Sequence, residues 1–136
     1  MEYVEETDRI VVRLARGDRV MESLETIRDE CEVTGAFFFG IGAVDEVTLG
    51  HYDVGEQDYK ERTFEEDFEV TGLLGNIGPD KIHAHIQLGR RDFSTLSGHF
   101  AGGRVSGTFE LIVVPVATEL VHQYDEPTGL DVFDLE

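Results

Sequence analysis

From Ala36 to Phe133 the chain carries one short β-like run after another and no helical stripe. That imbalance limits the possible folds more than any other feature. The runs are AFFFGIGAV, VDEVTLGHYDV, DYKERTFEE, DFEVTGLLGNI, KIHAHIQLG, RVSGTFELIVVPV, ELVHQYD and GLDVFDL. They are rich in β-branched and aromatic residues, and several alternate apolar with polar positions, as half-buried strands do. Turn signals at Asp53–Gly55, Gly78–Asp80, Gly102–Gly103 and Pro127–Gly129 separate them. RIVVRL at 9–14 reads as one more strand. The single helical stripe lies between, with Val20, Leu24, Ile27 and Cys31 spaced by four, three and four. Asp18 is its expected N-cap and Gly35 its expected stop. One helix with about eight strands predicts an α+β domain over 1–136, a curved, largely antiparallel sheet or partly closed barrel. The tail GLDVFDL reads as an edge strand that a neighbouring subunit could cover.

The surface chemistry is as one-sided as the fold. Of 136 residues, 29 are acidic and 11 basic, a formal net charge of −18, and only Lys60 and Lys81 are lysines. The acids are dispersed, so they describe a negative surface rather than a disordered tail. Adaptation to salt is the best physical explanation of such a surface, because at molar salt the Debye length is about 3 Å and self-repulsion is screened; the alternative is an ordinary acidic protein that repels anionic partners. A negative surface without a basic patch argues against direct duplex DNA binding at moderate salt; the nearest cationic cluster is Arg90–Arg91. No apolar run approaches the roughly 20 residues of a membrane span, and the acidic N-terminus does not read as a signal peptide. A lone Cys31 excludes an intrachain disulfide and suits a cytoplasmic protein. On the helical stripe it reads as a small buried apolar residue rather than a nucleophile.

The chemistry concentrates in three histidines. In KIHAHIQL, a period of two puts Ile82, Ala84, Ile86 and Leu88 on one face and His83, His85 and Gln87 on the other. His99, in SGHF, returns from the next segment. Three imidazoles match an open metal site of the three-ligand kind, with zinc first among the candidate ions. The competing reading is a pair of hydrogen-bonded histidines on a wet sheet face. His51 and His122 have weaker claims and read as exposed or hydrogen-bonded groups. Gly40-x-Gly42 lacks the third glycine and following helix of a dinucleotide loop, so close backbone packing or a bulge is expected there. Phe37, Phe38 and Phe39 read as core or subunit interface, since a nucleic-acid stacking platform comes with a basic track.

Taken in order, RLARGD ahead of the helix, FFGIGAVDEVTLGHY, FEVTGLLGNI, HAHIQL, SGHF, GTFELIV and the closing YDEPTGLDVFDL resemble the PPC domain shared by plants and prokaryotes. The resemblance covers nearly the whole chain. It implies a curved antiparallel α+β fold, a homotrimer, and a DNA-binding-protein-like label whose biochemical meaning is open for stand-alone prokaryotic members. It marks Gly40, Gly42, Glu69, Gly75, Asn76, His83, His85, Gly98 and His99. Members with this histidine pattern look able to hold a metal at the trio. This chain has Ser97-Gly98 where a double glycine is common, and no AT-hook: there is no R-G-R core and no basic arm.

The resemblance also places the strand of Glu69 and Asn76 beside the histidines, which makes those two the candidate ligand-binding or proton-handling residues. The bland alternatives are an ion pair of Glu69 with Arg13 or Arg104 and a turn role for Asn76. A trimer is also expected on physical grounds. FFFGIGAV and FELIVVPV offer more apolar strand face than one short helix can cover, and a closed cyclic assembly would bury the surplus. Two functions follow. One is a homotrimeric regulatory module with a metal-capable pocket, associated with DNA through a partner. The other is a small metalloenzyme or metal-dependent small-molecule binder using the same pocket.

Overall fold

The computed structural model describes residues 1–136. Strands β1 (Glu2–Glu5) and β2 (Ile10–Leu14) precede helix α1 (Val20–Glu30). Strands β3 (Ala36–Asp53), β4 (Asp58–Phe64), β5 (Phe68–Ile77), β6 (Ile82–Gly89), β7 (Thr95–Pro115), β8 (His122–Asp125) and β9 (Leu130–Phe133) follow. Seven strands form one antiparallel sheet in the order β1-β2-β7-β6-β5-β3-β4, and β7 also pairs with β3. The sheet therefore curls until β3, β5, β6 and β7 close a ring, which is the α+β architecture expected. β8 and β9 form a separate two-stranded sheet. β1 arises from the acidic N-terminus, where no strand was expected, because Tyr3 and Val4 pair against Val12 and Val11 at an open edge.

Two strands are longer than the sequence runs: β3 merges AFFFGIGAV with VDEVTLGHYDV, and β7 extends RVSGTFELIVVPV back to Thr95. β3 has 18 residues and β7 has 21, and they pair from Ala36 opposite Pro115 to Gly50 opposite His99. Gly102–Gly103 is therefore not a turn. It lies inside β7 opposite Thr48 and Val47, where a Cβ on Gly103 would come within 2.9 Å of the Glu46 carbonyl oxygen. Gly40 and Gly42 serve the same purpose at the other end. A Cβ would stand 2.6 Å from the Glu110 carbonyl oxygen at Gly40 and 2.5 Å from that of Thr108 at Gly42. The β3–β5 register shifts between these two glycines. Close approach and a bulge thus account for them, as expected.

The ring surrounds one core of 24 buried residues, among them Phe38, Phe100, Phe109, Leu73, Ile86 and Leu88. Helix α1 buries Val20, Leu24 and Ile27 completely against it. Each such side chain contributes about 1.5–3 kcal/mol relative to exposure. The helix ends differ from expectation. The N-cap is Arg19, which makes no side-chain cap; the Asp18 carboxylate instead accepts the Ala15 N–H at 2.8 Å and pairs with the N-terminal ammonium at 2.9 Å. The helix stops at Glu30, with Glu32 in the left-handed region at φ 52°, before Gly35 is reached. Cys31 packs partly buried against the core, and burial, with Glu5 nearby, pushes its thiol pKa up. That is the behaviour of a packing residue, not of a nucleophile. No helix is long and apolar enough to cross a membrane.

Candidate metal centre

Alternation along β6 works as expected. Ala84, Ile86 and Leu88 are buried in the core, whereas His85 and Gln87 are exposed and His83 is half-buried on the opposite face. The next link comes from strand pairing. β7 runs antiparallel to β6 with His99 directly opposite His85, so the two imidazoles leave the same face. His83 stands two residues along from His85. Ring centroids are 5.0 Å apart for His83–His85, 5.3 Å for His83–His99 and 5.9 Å for His85–His99. One ring nitrogen from each lies within 4.8 Å of the other two. Three atoms so placed share a centre within about 3 Å of each, about 1 Å outside the zinc–nitrogen distance of about 2.0–2.1 Å.

The electrostatics suit ligation. Burial, then His85, His99 and Lys81, push the His83 pKa down to about 4. His99 is also lowered, by burial first and then by His85 and Lys81, with Glu61 opposing. Both imidazoles are therefore neutral near pH 7, the form that donates a lone pair to a metal. The trio lines a cleft of about 900 Å³ with Gly50, Tyr59, Lys81, Gln87, Ser97 and the tail residues Gly129–Val132. The ring of Tyr59 meets His99 edge-on at 5.8 Å, and its hydroxyl donates to Glu61 Oε2 at 2.7 Å. Burial first and then that hydrogen bond push the Tyr59 pKa up to about 12, so it stays a donor.

The structure separates the two further candidates. Asn76 is the direct β5 partner of His83, and its Oδ1 is buried with no hydrogen-bond partner. Glu69 stands at the other end of β5, opposite Gly89, six residues along the β6 ladder from His83. At roughly 3.3 Å per residue that is about 20 Å away. Its strand does lie beside the histidines, but the residue does not line the cleft. Neither Arg13 nor Arg104 pairs with it; Arg13 binds Glu2 at 2.8 Å and Arg104 binds Asp45 at 2.8 Å. His51 is exposed at the cleft rim. His122 is neither exposed nor hydrogen-bonded. Its side chain is 6% exposed, packed on Phe133 at 5.0 Å, with Nδ1 3.7 Å from Asp80. Tyr59, Glu61 and Asp131 were not singled out from the sequence, because no local spacing ties them to the trio.

The Plants and Prokaryotes Conserved (PCC) domain model matches residues 1–117. The chain belongs to that family. The PCC match stops short of the β8–β9 hairpin, although that hairpin walls the cleft. Solved structures extend the likeness over almost the whole chain. A provisionally named DNA-binding protein of Bacteroides thetaiotaomicron is 27% identical with a TM-score of 0.94, covering 98% of this chain and 96% of its own. A metal-containing protein of Archaeoglobus fulgidus is 27% identical with a TM-score of 0.86, covering 97% and 96%. A plant- and prokaryote-conserved protein of Pyrococcus horikoshii, 18% identical with a TM-score of 0.83 and covering 98% and 93%, shares the fold. No curated protein matches the chain.

Proposed function

We propose that this PCC-domain protein is a homotrimer that binds a small molecule at a divalent metal held by His83, His85 and His99, with zinc as the first candidate. The observation that carries the reading is the mutual approach of three imidazole nitrogens within 4.8 Å at the wall of a cleft. Their chemistry fits such an ion, since two of them are held neutral by burial and by one another. The metal-containing Archaeoglobus neighbour lends support. Bound there, the ion would supply a Lewis-acidic open position.

The chain's own residues would do the rest. Asn76, with an orphaned Oδ1 in register with His83, would accept an imidazole N–H and orient that ring, as outer partners of metal-bound histidines do. Tyr59, Ser97 and Gln87 would present polar groups to whatever enters the cleft. A catalytic step is not required by this reading. The trimer rests on the outer sheet face, where Val4, Val11, Phe39, Ile41 and Leu74 are all more than a third exposed and line an apolar groove of about 800 Å³. A cytoplasmic, salt-adapted protein accords with the lone cysteine and the charge of −18.

A regulatory role beside DNA is the second reading, favoured by the name of the Bacteroides neighbour. The charge would route it through a partner protein rather than through phosphate contacts. Elemental analysis of protein purified in high salt without a nickel column tests the main reading. About one zinc-class ion per chain is expected, and a metal-free protein that takes up none on reloading overturns it. A mobility-shift assay with duplex DNA near 0.15 M salt addresses the second. No complex is expected from the protein alone, and tight, steeply salt-dependent binding would reverse that view.

A further inference from the structure

The cleft escapes the acidity of the rest of the chain. About one residue in five is Asp or Glu, so a wall of 17 residues would carry three or four acids at that frequency, yet it holds one, Asp131. It also holds Lys81, one of only two lysines in the chain. These two charges face each other, Lys81 Nζ lying 3.5 Å from Asp131 Oδ2, with both side chains partly open to solvent. Lys81 belongs to the ring, just ahead of β6, while Asp131 belongs to the β8–β9 hairpin. The hairpin is seated by Tyr52, whose hydroxyl donates to the Thr128 carbonyl oxygen at 2.6 Å, and by Gln57, whose amide donates to the Glu126 and Pro127 carbonyls at 3.3 Å.

We propose that Lys81 is the anion-anchoring residue of the cleft, that the ligand is a small carboxylate, and that Asp131 is the internal carboxylate it displaces. Asp131 is itself a carboxylate resting on the cation that the ligand would use. Phosphate fits less well. Its recognition calls for an Arg fork or clustered backbone N–H groups, and the cleft wall holds no Arg and no helix start. Val54, Leu130 and Val132 in the same wall suit a short aliphatic body. The inference rests on the metal reading above, since the ligand's carboxylate would lie between the Lys81 ammonium and the histidine-held ion, with its aliphatic body against the apolar wall.

The test uses the full-length protein loaded with cobalt(II), whose visible absorption reports changes at the ion, at one fixed salt concentration. Cobalt uptake is measured first; failure to take up one ion per chain overturns both the metal reading and this one. Propionate is then titrated, with propionamide as the uncharged control. A propionate-dependent spectral shift is expected, with weaker or no response to the amide. Lys81→Met should weaken propionate binding about tenfold or more, the usual scale for losing a charge-assisted hydrogen bond, measured on variant protein shown to have taken up one cobalt ion per chain. Asp131→Asn should tighten binding several-fold by removing the competitor. Normal cobalt uptake with no propionate response, equal binding of the amide, or wild-type affinity in Lys81→Met overturns this inference alone. Should Lys81→Met not fold, Asp131→Asn decides: unchanged or weaker propionate binding overturns it.

Discussion

The outward side of the sheet carries two neighbouring regions that break the ordinary surface rule in opposite ways. At Leu74 of β5, Phe39 and Ile41 of β3, and Val4 and Val11 at the β1–β2 edge, large apolar side chains stand exposed. One strand over, directly opposite Leu74, His85 begins the imidazole cluster. The register is continuous across the boundary, so the same ladder carries a row of hydrocarbon and then a row of imidazole. Exposed hydrocarbon of that extent gains from being covered, which points to another copy. Half-buried neutral imidazoles gain from a ligand to their lone pairs. One curled sheet thus carries an exposed apolar face and a histidine cluster side by side, and the residues at adjacent rungs decide which is which.

The largest effect that would sharpen this contrast is on the histidine side. His99→Ala removes the ligand contributed by β7 and should weaken metal binding about 100-fold or more, beyond the 10–100-fold that outer partners cost. Competition with a chromophoric chelator measures it; retention of wild-type affinity would show that the cluster is not a site. The apolar side should respond in mass rather than in metal. Ile41→Glu with Leu74→Glu should convert the trimer to a monomer in light scattering at 2–3 M salt, where surface charge is screened to a few Å, with cobalt uptake retained. A wild-type monomer under those conditions would remove the trimer altogether.

A smaller effect is expected from pH. The folded-state pKa of His83, pushed down to about 4, lies below the unfolded value near 6.5. The unfolded chain therefore binds the proton first as pH falls. Stability from this group is fully present above about 6.5, is lost as pH drops toward 4, and levels off below that. His99, lowered for the same leading reason, adds in the same sense. Comparing metal-free wild type with His83→Gln, the wild type should lose about 2–6 °C more in Tm between pH 7 and pH 4.5. Equal slopes would mean that the imidazole is not held neutral by its surroundings. The smallest effect is expected at Glu69. Glu69→Gln should change metal affinity by less than about twofold, since its β6 partner Gly89 lies four residues, about 13 Å of strand, from His85, the nearest of the trio. A larger loss would require a second copy to bring that carboxylate to the cleft.

Much of this was legible in the residues themselves. The β6 alternation, the helical stripe at Val20, Leu24 and Ile27, and the crowding role of Gly40 and Gly42 follow from periodicity and from the sterics of a missing Cβ. Those patterns are local, and local geometry dictates them. The boundaries were less legible. Gly102–Gly103 carries a turn signature but sits mid-strand, because a long bent strand crossing close to Glu46 wants the same residue type that a turn does. Asp18 has the chemistry of an N-cap, yet it lies one residue ahead of the cap position, Arg19, and its carboxylate is occupied by the Ala15 N–H and the Met1 ammonium. His122 gave no sign of burial, since the apolar surroundings that bury it come partly from Phe133 on the hairpin partner.

What the sequence alone determined was the α+β class, the single helix, the face on which His83 and His85 lie, and the charge of −18. These depend on residue type and on spacings of two to four positions. What only the tertiary structure decided was which distant residues share the cleft. Asn76 stands opposite His83 and Glu69 does not, because the antiparallel β5–β6 register places them at opposite ends of one ladder. Tyr59 and Asp131 meet the trio through the closure of the ring and the docking of the β8–β9 hairpin, whereas Lys81 stands two positions before His83 in the same alternating segment. The reason is physical. Strand pairing sets neighbours by register between segments far apart in the chain, and no short-range pattern encodes which rung faces which.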